Sequence, residues 1–302
     1  MNIIDLHCDT LDKLKNDSTK SKHITDEFLK AGGYAAQCFA IYTPPKIKGY
    51  KATLYFKEQL KTFDKMLKES HILETAKDRF DIENNLKTGK ISAMISVENS
   101  EFLNENIENF SLIGNRGVRF LGFVHNGENC LGYPCCEENF DNMLPLKEFG
   151  KTVAEMLNGT STYADVSHLN YGGFLSLSEI YKKPIVATHS GCYELCRNKR
   201  NLTDEQIKII GNSGGVVGTV FYSLFLNGGN ITEIDHIIRH IKHLINVGGE
   251  EIVAIGSDFD GIDCVLQIKN ASEMQNFSGK LIKEFGYNLS EKICYKNVLR
   301  LL

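Results

Sequence analysis

The sequence predicts an α/β protein built as a single (β/α)8 TIM barrel, and three observations carry the prediction. Eight short runs rich in apolar and β-branched residues recur along the 302 residues. Stretches with helical spacing separate them. No Gly-rich phosphate loop follows the first run, so the usual mark of the rival doubly wound sheet is missing. Five prolines and no Ser/Gly/Pro-rich linker lead us to expect one domain over residues 1–302.

The first strand is expected at Asn2–Leu6, where Ile3, Ile4 and Leu6 form the apolar run. Tyr34–Tyr42 and Ile91–Val97 follow as the second and third. Between them, Thr53–Leu86 is long enough for one or two helices. Gly117–Val124 is the fourth strand. Val153, Met156 and Leu157 then trace a helical stripe that stops before Gly159. Ser161–Val166 and Pro184–Ala187 are the fifth and sixth strands. Asn201 to Gln206 reads as a helix start, with a capping residue and early acids. Gly215–Phe221 is the seventh strand. Ile234, Ile237, Ile238, Ile241, Leu244 and Ile245 share one helix face, and Gly248-Gly249 stops it. Ile252–Gly256 is the eighth strand.

Composition narrows the class. A hydrophobic share of 42% and a charged share of 24% are those of a soluble globular protein. A net charge of −4 argues against nucleic acid as a partner, because phosphate binding needs a basic face. The first strand leaves no room for a signal peptide. No run approaches membrane-spanning length, and Val298–Leu302 is no lipid-anchor tail. A cytoplasmic location with no membrane partner is the expectation, and a homodimer is compatible with it. The nine cysteines are scattered and odd in number, so they read as reduced thiols. Neither Cys135-Cys136 nor Cys192 with Cys196 has the layout of a structural zinc site.

Polar residues collect where the strands end. Barrel enzymes of this type place their sites at the C-terminal strand ends. His7 and Asp9 leave the first strand two residues apart, hence side by side. Glu98 ends the third strand and His125 the fourth. Asp165 and His168 follow the fifth, His189 the sixth, and Asp258 and Asp260 the eighth. Four imidazoles with Asp9, Glu98 and Asp258 at one mouth would be costly to bury without a cation. Nitrogen and oxygen donors suit zinc. Seven candidate ligands exceed one tetrahedral ion, so two metals ~3.5–4 Å apart sharing a carboxylate fit better. Glu98 is the bridge by its place in strand order. Cys8 is expected to point away, toward the helices. His236, His240 and His243 read as the solvated face of a helix. Asp260 reads as a loop-orienting residue, Asp165 as a supporting one, and Arg116 and Arg119 as barrel salt-bridge partners.

These residues resemble the membrane (renal) dipeptidase family of zinc metallopeptidases over nearly the whole chain. The resemblance rests on His7-Cys8-Asp9, on Gly33 to Ala40, on Val97-Glu98 and on Phe123-Val124-His125-Asn126. It continues through Asp165-Val166-Ser167-His168, Ala187-Thr188-His189-Ser190, Arg200-Asn201-Leu202-Thr203-Asp204 and Phe221-Tyr222. Gly256 to Gly261 and Asn297-Val298-Leu299-Arg300 complete it. The Arg200–Asp204 and Gly256–Gly261 segments, in this order and spacing, are its most specific parts.

The resemblance implies two Zn2+ per chain. His7 and Asp9 would bind one, His168 and His189 the other, and Glu98 and a water or hydroxide would bridge them. It implies a dipeptidase that cleaves L-Xaa-L/D-Xaa by attack of the bridging hydroxide. Asp258 would carry the proton, His125 would stabilise the oxyanion, and Arg200 with Tyr222 would hold the substrate carboxylate. A tyrosine in Tyr222's place is also read as an ordinary half-buried aromatic. The planar fork of Arg200 suits a carboxylate. The chain departs from the secreted, anchored members in lacking an evident signal, anchor or disulfide framework. Its loop with Cys130, Cys135 and Cys136 also differs. The alternatives are a binuclear amidohydrolase acting on cyclic amides, lactones or phosphotriesters, and a barrel that only binds a ligand. The former often bridge their metals with a carboxylated lysine at strand four, where this chain has His125. The latter is opposed by the full set of ligand-type residues.

Overall fold

The structure, a computed structural model, describes residues 1–16, 23–136 and 141–302. Eight parallel strands close into a barrel. They are β1 (Ile3–Cys8), β2 (Tyr34–Tyr42), β3 (Ile91–Glu98), β4 (Val118–Gly122), β5 (Tyr163–Asp165), β6 (Val186–Ser190), β7 (Val216–Thr219) and β8 (Val253–Ile255). Each pairs with the next in order, and β8 pairs with β1. All eight expected strands are present. The ladders are uneven: β1 and β8 share Asp5 with Ile255, with Cys8 pairing Phe259 just past β8, and β5 and β6 share one pair, Asp165 with Val186.

The connecting segments follow the sequence pattern closely. Helices occupy Glu148–Leu157, Asp204–Asn212 and Ile234–Gly248. Thr203 and Gln206 form a reciprocal capping box, which satisfies two free helix-end donors at once. The Thr53–Leu86 stretch resolves into two helices, Tyr50–Glu69 and Arg79–Lys87. Between them Leu73–Thr75 adds a three-residue strand beside the start of β3. That strand is too short to show alternation, so the sequence pattern misses it. No helix of the described residues is long and apolar enough to cross a membrane.

Two apolar layers hold the barrel. Ile3, Cys8, Phe39 and Ile41 face outward and pack with helix residues such as Phe56, Val153 and Ile237. Cys8 therefore faces the helices, as expected. Ile4, Leu6, Cys38, Met94 and Phe120 form the inner cluster with Val298, Leu299 and Leu301. Asn297 donates to the Val253 carbonyl and Arg300 to that of Gly215, at the N-terminal ends of β8 and β7. The last residues thus stopper the barrel on the side away from the mouth.

Two irregularities aim the polar residues. In β1 the step from Asp5 to Cys8 faces the shorter step from Gln37 to Phe39, so β1 carries one extra residue. In β6 the step from Ala187 to Ser190 likewise faces that from Val217 to Thr219. Such bulges shift the side-chain phase by one. Strict alternation from Ile4 and Leu6 would send His7 out to the helices; the bulge turns it into the mouth. His189 sits on the second bulge.

The second bulge also presses the Thr188 carbonyl against its neighbours. A Cβ on Gly218 would lie 2.0 Å from that oxygen, and one on Gly256 would lie 1.8 Å from it. Only glycine fits at both places. Gly256→Ala should therefore lower stability by about 1–3 kcal/mol or more, as overpacking against backbone does. A urea unfolding midpoint equal to that of the parent protein would contradict this close approach.

Candidate metal centre

Several of the ligand-type side chains are delivered by strand ends with unusual backbone. Glu98 is the last residue of β3, and Asn99 behind it turns the chain with φ 77°. His168 follows β5 with φ 68°, and Asp258 follows β8 with φ 62°. Left-handed backbone at residues other than glycine is sparsely populated and costs about 1–3 kcal/mol. Here it falls on two residues that the sequence marks for chemistry, His168 and Asp258, and on the neighbour of a third, Asn99 beside Glu98. Gly261 closes over the same place: a Cβ there would lie 2.1 Å from Asp9 Oδ2 and 2.4 Å from Asp258 Oδ1.

These ends bring the expected residues together. Glu98 Oε1 lies 2.9 Å from His168 Nε2, 3.7 Å from His189 Nε2, 3.8 Å from His125 Nε2 and 4.0 Å from His7 Nε2. His7 Nε2 is 3.5 Å from Asp9 Oδ2 and 3.8 Å from Asp258 Oδ1. The cluster resolves into three overlapping groups that could each hold an ion: His7, Glu98 and His189; Glu98, His125 and His168; His7, Asp9 and Asp258. His125 and Asp258 thus stand as close to the other donors as the five residues expected to bind metal.

Two buried aspartates brace the cluster in the same way. Asp5 Oδ1 accepts from the His7 and Ser257 amides at 3.2 and 2.9 Å, and its Oδ2 from the Ser257 hydroxyl at 2.6 Å. Asp165 Oδ1 accepts from the Ser167 and Thr188 amides, each at 3.0 Å, and its Oδ2 from the Thr188 hydroxyl at 2.6 Å. Each carboxylate ties its own strand end to that of a neighbour. Asp165 was expected in such a role; Asp5, Thr188 and Ser257 were not singled out. The signal was present as a doubled pattern, an aspartate two or three residues before a site histidine, in Asp5-Leu6-His7 and Asp165-Val166-Ser167-His168.

The bracing also sets tautomers. The Thr188 hydroxyl donates to Asp165, so its oxygen accepts from His189 Nδ1 at 2.9 Å. The Asn126 carbonyl oxygen accepts from His168 Nδ1 at 2.9 Å. Both rings are left with an Nε2 lone pair facing inward, and these nitrogens are only 3.1 Å apart. Two lone pairs at that distance need a proton or a cation beside them.

The electrostatics call for the same thing. Burial and neighbouring Asp9 push Glu98 well above the usual carboxylate range. Burial, again with Asp9, pushes Asp258 up to about 8. Burial opposes charge on His7, but Asp9, Glu98 and Asp258 outweigh it and raise the imidazole to about 10. Burial lowers His125 to about 4, and pushes His168 and His189 well down. His7 Nε2, Asp9 Oδ1 and His125 Nδ1 are buried without a hydrogen-bond partner among the described residues. A donor set that is over-charged, under-bonded and closely spaced fits divalent cations.

A cavity of about 400 Å3 opens above the cluster, lined by Asp9, Glu98, His125, His189, Arg200, Tyr222 and Asp258. Arg200 is buried; its Nη2 donates to the His189 carbonyl at 3.1 Å, and Nε has no partner among the described residues. Asn201 locks this loop by accepting from Gly191 and donating to the Cys196 and Phe225 carbonyls. Tyr222 lines the cavity, with its hydroxyl donating to Asp263 Oδ1 at 3.1 Å. Asp12, Lys13 and Tyr42 also line it. Nothing in the sequence signals that the helix starting at Thr10 brings Asp12 and Lys13 to the mouth, and Tyr42, the last residue of β2, has the form of an ordinary strand aromatic. Beyond Arg200 and His168 lies a second chamber of about 380 Å3, which includes Cys135.

Other expectations resolve simply. Asp260 orients its loop: Thr10 and the His23 amide donate to its carboxylate, and its own amide donates to His23 Nδ1. Arg116 pairs with Asp64, while Arg119 is buried over the Tyr163 ring. The helix Ile234–Gly248 needs a correction. His240 is wholly buried, accepting from the Cys192 amide and donating to the Leu226 carbonyl. It is a core histidine and not part of a solvated face. His243 pairs with Asp204, as a surface residue would.

Known proteins resemble this chain in sequence and in shape. A protein of Klebsiella pneumoniae, described as an uncharacterized protein in the pqqA 5′ region, is 37% identical over 159 residues, 51% of this chain and 58% of that protein. The chain thus matches less than two thirds of that relative. A solved structure described as dipeptidase AC, a metallo peptidase of family M19, has a TM-score of 0.92 at 25% identity and covers 100% of this chain and 97% of that one. A metallo peptidase from Rhodobacter sphaeroides, solved with a phosphinate mimic of the dipeptide L-Ala-D-Ala, has a TM-score of 0.91 at 24% identity and covers 100% and 98%. Residues 1–302 match the membrane dipeptidase family, peptidase family M19, and the chain belongs to that family.

Proposed function

We propose that this protein is a zinc-dependent dipeptidase that hydrolyses L-Xaa-L/D-Xaa dipeptides. One observation carries the reading: a single carboxylate oxygen, Glu98 Oε1, lies within 4.0 Å of four imidazole Nε2 atoms beneath an arginine-walled cavity. Family membership supports it. In this reading His7 and Asp9 would hold one Zn2+, His168 and His189 would hold the other, and Glu98 would be shared between them. When bound, the two ions lower the pKa of a shared water toward ~7 and polarise the scissile carbonyl.

The chain's own residues do the rest. Arg200 takes the substrate's terminal carboxylate. Its Nη2 is already fixed on the His189 carbonyl, so the fork is aimed before substrate arrives. Tyr222 would add its hydroxyl from the neighbouring wall by turning its one proton from Asp263 to the substrate's carboxylate. His125 is neutral at pH 7 and donates to the oxygen that becomes anionic as the carbonyl is attacked. Asp258 accepts the proton of the attacking water at its carboxylate and passes it to the departing amine. Its placement beside His7 and Asp9, under Gly261, keeps bulk water from competing for that proton.

Three outcomes test this. Elemental analysis of the purified protein should find two zinc ions per chain, and Glu98→Ala should lower that number together with activity on a dipeptide panel. Hydantoins and lactones turned over in preference to dipeptides would instead favour a cyclic-amide or lactone hydrolase. Asp258→Asn should keep both metals and lose about 10²–10⁴-fold in kcat, the usual share of general acid–base catalysis; full activity would remove Asp258 from the mechanism. Arg200→Met should raise KM by roughly 10–100-fold for dipeptides, as loss of a charge-assisted pair does. It should leave the weak hydrolysis of a dipeptide amide nearly unchanged, and an equal effect on both substrates would contradict a carboxylate clamp.

A further inference from the structure

We propose that Cys135 and Cys136 are a site of reversible oxidation, closing to a vicinal disulfide that alters the mouth of the metal centre. Their Sγ atoms lie 3.5 Å apart, both residues are half-buried, and both thiols are free. The pair is wired to a site residue. The Cys135 amide donates to the His168 carbonyl at 2.8 Å, Asn170 donates to the Tyr133 carbonyl at 3.1 Å, and Pro134 bridges Leu169. Cys135 also lines the chamber that opens beyond Arg200, with Lys199 on the same wall.

A small-molecule disulfide of the glutathione type is the oxidant. One cysteine thiolate attacks an oxidant sulfur and releases one thiol. The second cysteine, losing its proton, then attacks the mixed disulfide and releases the other thiol. The net change is two cysteine thiols oxidised to one Sγ–Sγ bond and one oxidant disulfide reduced to two thiols. The cationic flank of Lys199 and Arg200 suits an anionic oxidant of this class. Adjacent Cα atoms are held about 3.8 Å apart, below the ~4.4–6.8 Å usual for disulfides, so the ring is strained and readily reduced. Bond formation draws the sulfurs from 3.5 Å to about 2.05 Å. The twist falls on the Cys135–Cys136 peptide, which directly follows the Cys135 amide that holds the carbonyl of His168, a residue already at φ 68°.

The test treats the metal-loaded protein with glutathione disulfide, then with dithiothreitol. The peptide carrying both cysteines should lose about 2 Da, and kcat/KM should fall by on the order of tenfold at constant metal content. Dithiothreitol should reverse both. Cys136→Ser should match the untreated parent and ignore the oxidant. An unchanged peptide mass, a stable glutathione adduct on either cysteine, or equal inactivation of Cys136→Ser would overturn the proposal. The activity arm rests on the dipeptidase reading and the mass arm does not. A wrong substrate would therefore show as inactivity before oxidation, with the 2 Da loss intact.

Discussion

Four imidazoles converge on one oxygen of Glu98, and Asp9 and Asp258 close on one of them, His7; the rest of the structure is arranged to make that convergence tolerable. Asp9, Glu98 and Asp258 repel one another in a place that water scarcely reaches, and His168 and His189 point lone pairs at each other across 3.1 Å. Left to relax, such groups would move apart or take up protons. They are held because several are fixed from behind, the rings of His168 and His189 above all. Thr188 and Asn126 hold the rings, Asp5 and Asp165 hold the strand ends, and Gly261 closes the remaining side. A centre that is strained without a cation and rigid in its supports is pre-organised for one.

The supports explain the odd backbone. A strand that alternates strictly can show the mouth only every second residue. The bulges in β1 and β6 break that rule at His7 and His189. Their cost is local. The carbonyl displaced in β6 needs glycine at 218 and 256, and the aspartate two residues before the bulged histidine in β1 takes its amide. Bulge, glycine and buried aspartate are thus parts of one solution to aiming a side chain from a barrel strand.

Much of this was legible in the sequence. All eight strands were, because each is an apolar run with a polar end, and the converging residues were, because those ends carry histidine or acid. Less legible was how they converge. His7 and Asp9 do lie side by side, 3.5 Å apart, yet only the bulge makes that compatible with Ile4 and Leu6 inside the barrel. Asp5, Thr188 and Ser257 look like ordinary polar residues in a chain. Their role depends on which strand lies beside them, and a one-dimensional pattern does not carry that. His240 went astray for the same reason. Its helix spacing suggested solvent, but the loops bearing Cys192 and Leu226 fold over it.

The uneven ladders have a consequence for how the barrel comes apart. With Asp5–Ile255 and, just past β8, Cys8–Phe259 at β1–β8, and one pair at β5–β6, the barrel is two arcs, β1 to β5 and β6 to β8, joined at two short seams. Asp5 staples the first seam through Ser257, and Asp165 staples the second through Thr188. The cluster lies across both seams, with His7, Asp9, Glu98, His125 and His168 on one arc and His189 and Asp258 on the other. Whatever binds there is a clasp between half-barrels. Parting of the arcs and dismantling of the centre are then one event, and amide exchange should show the two seams opening together.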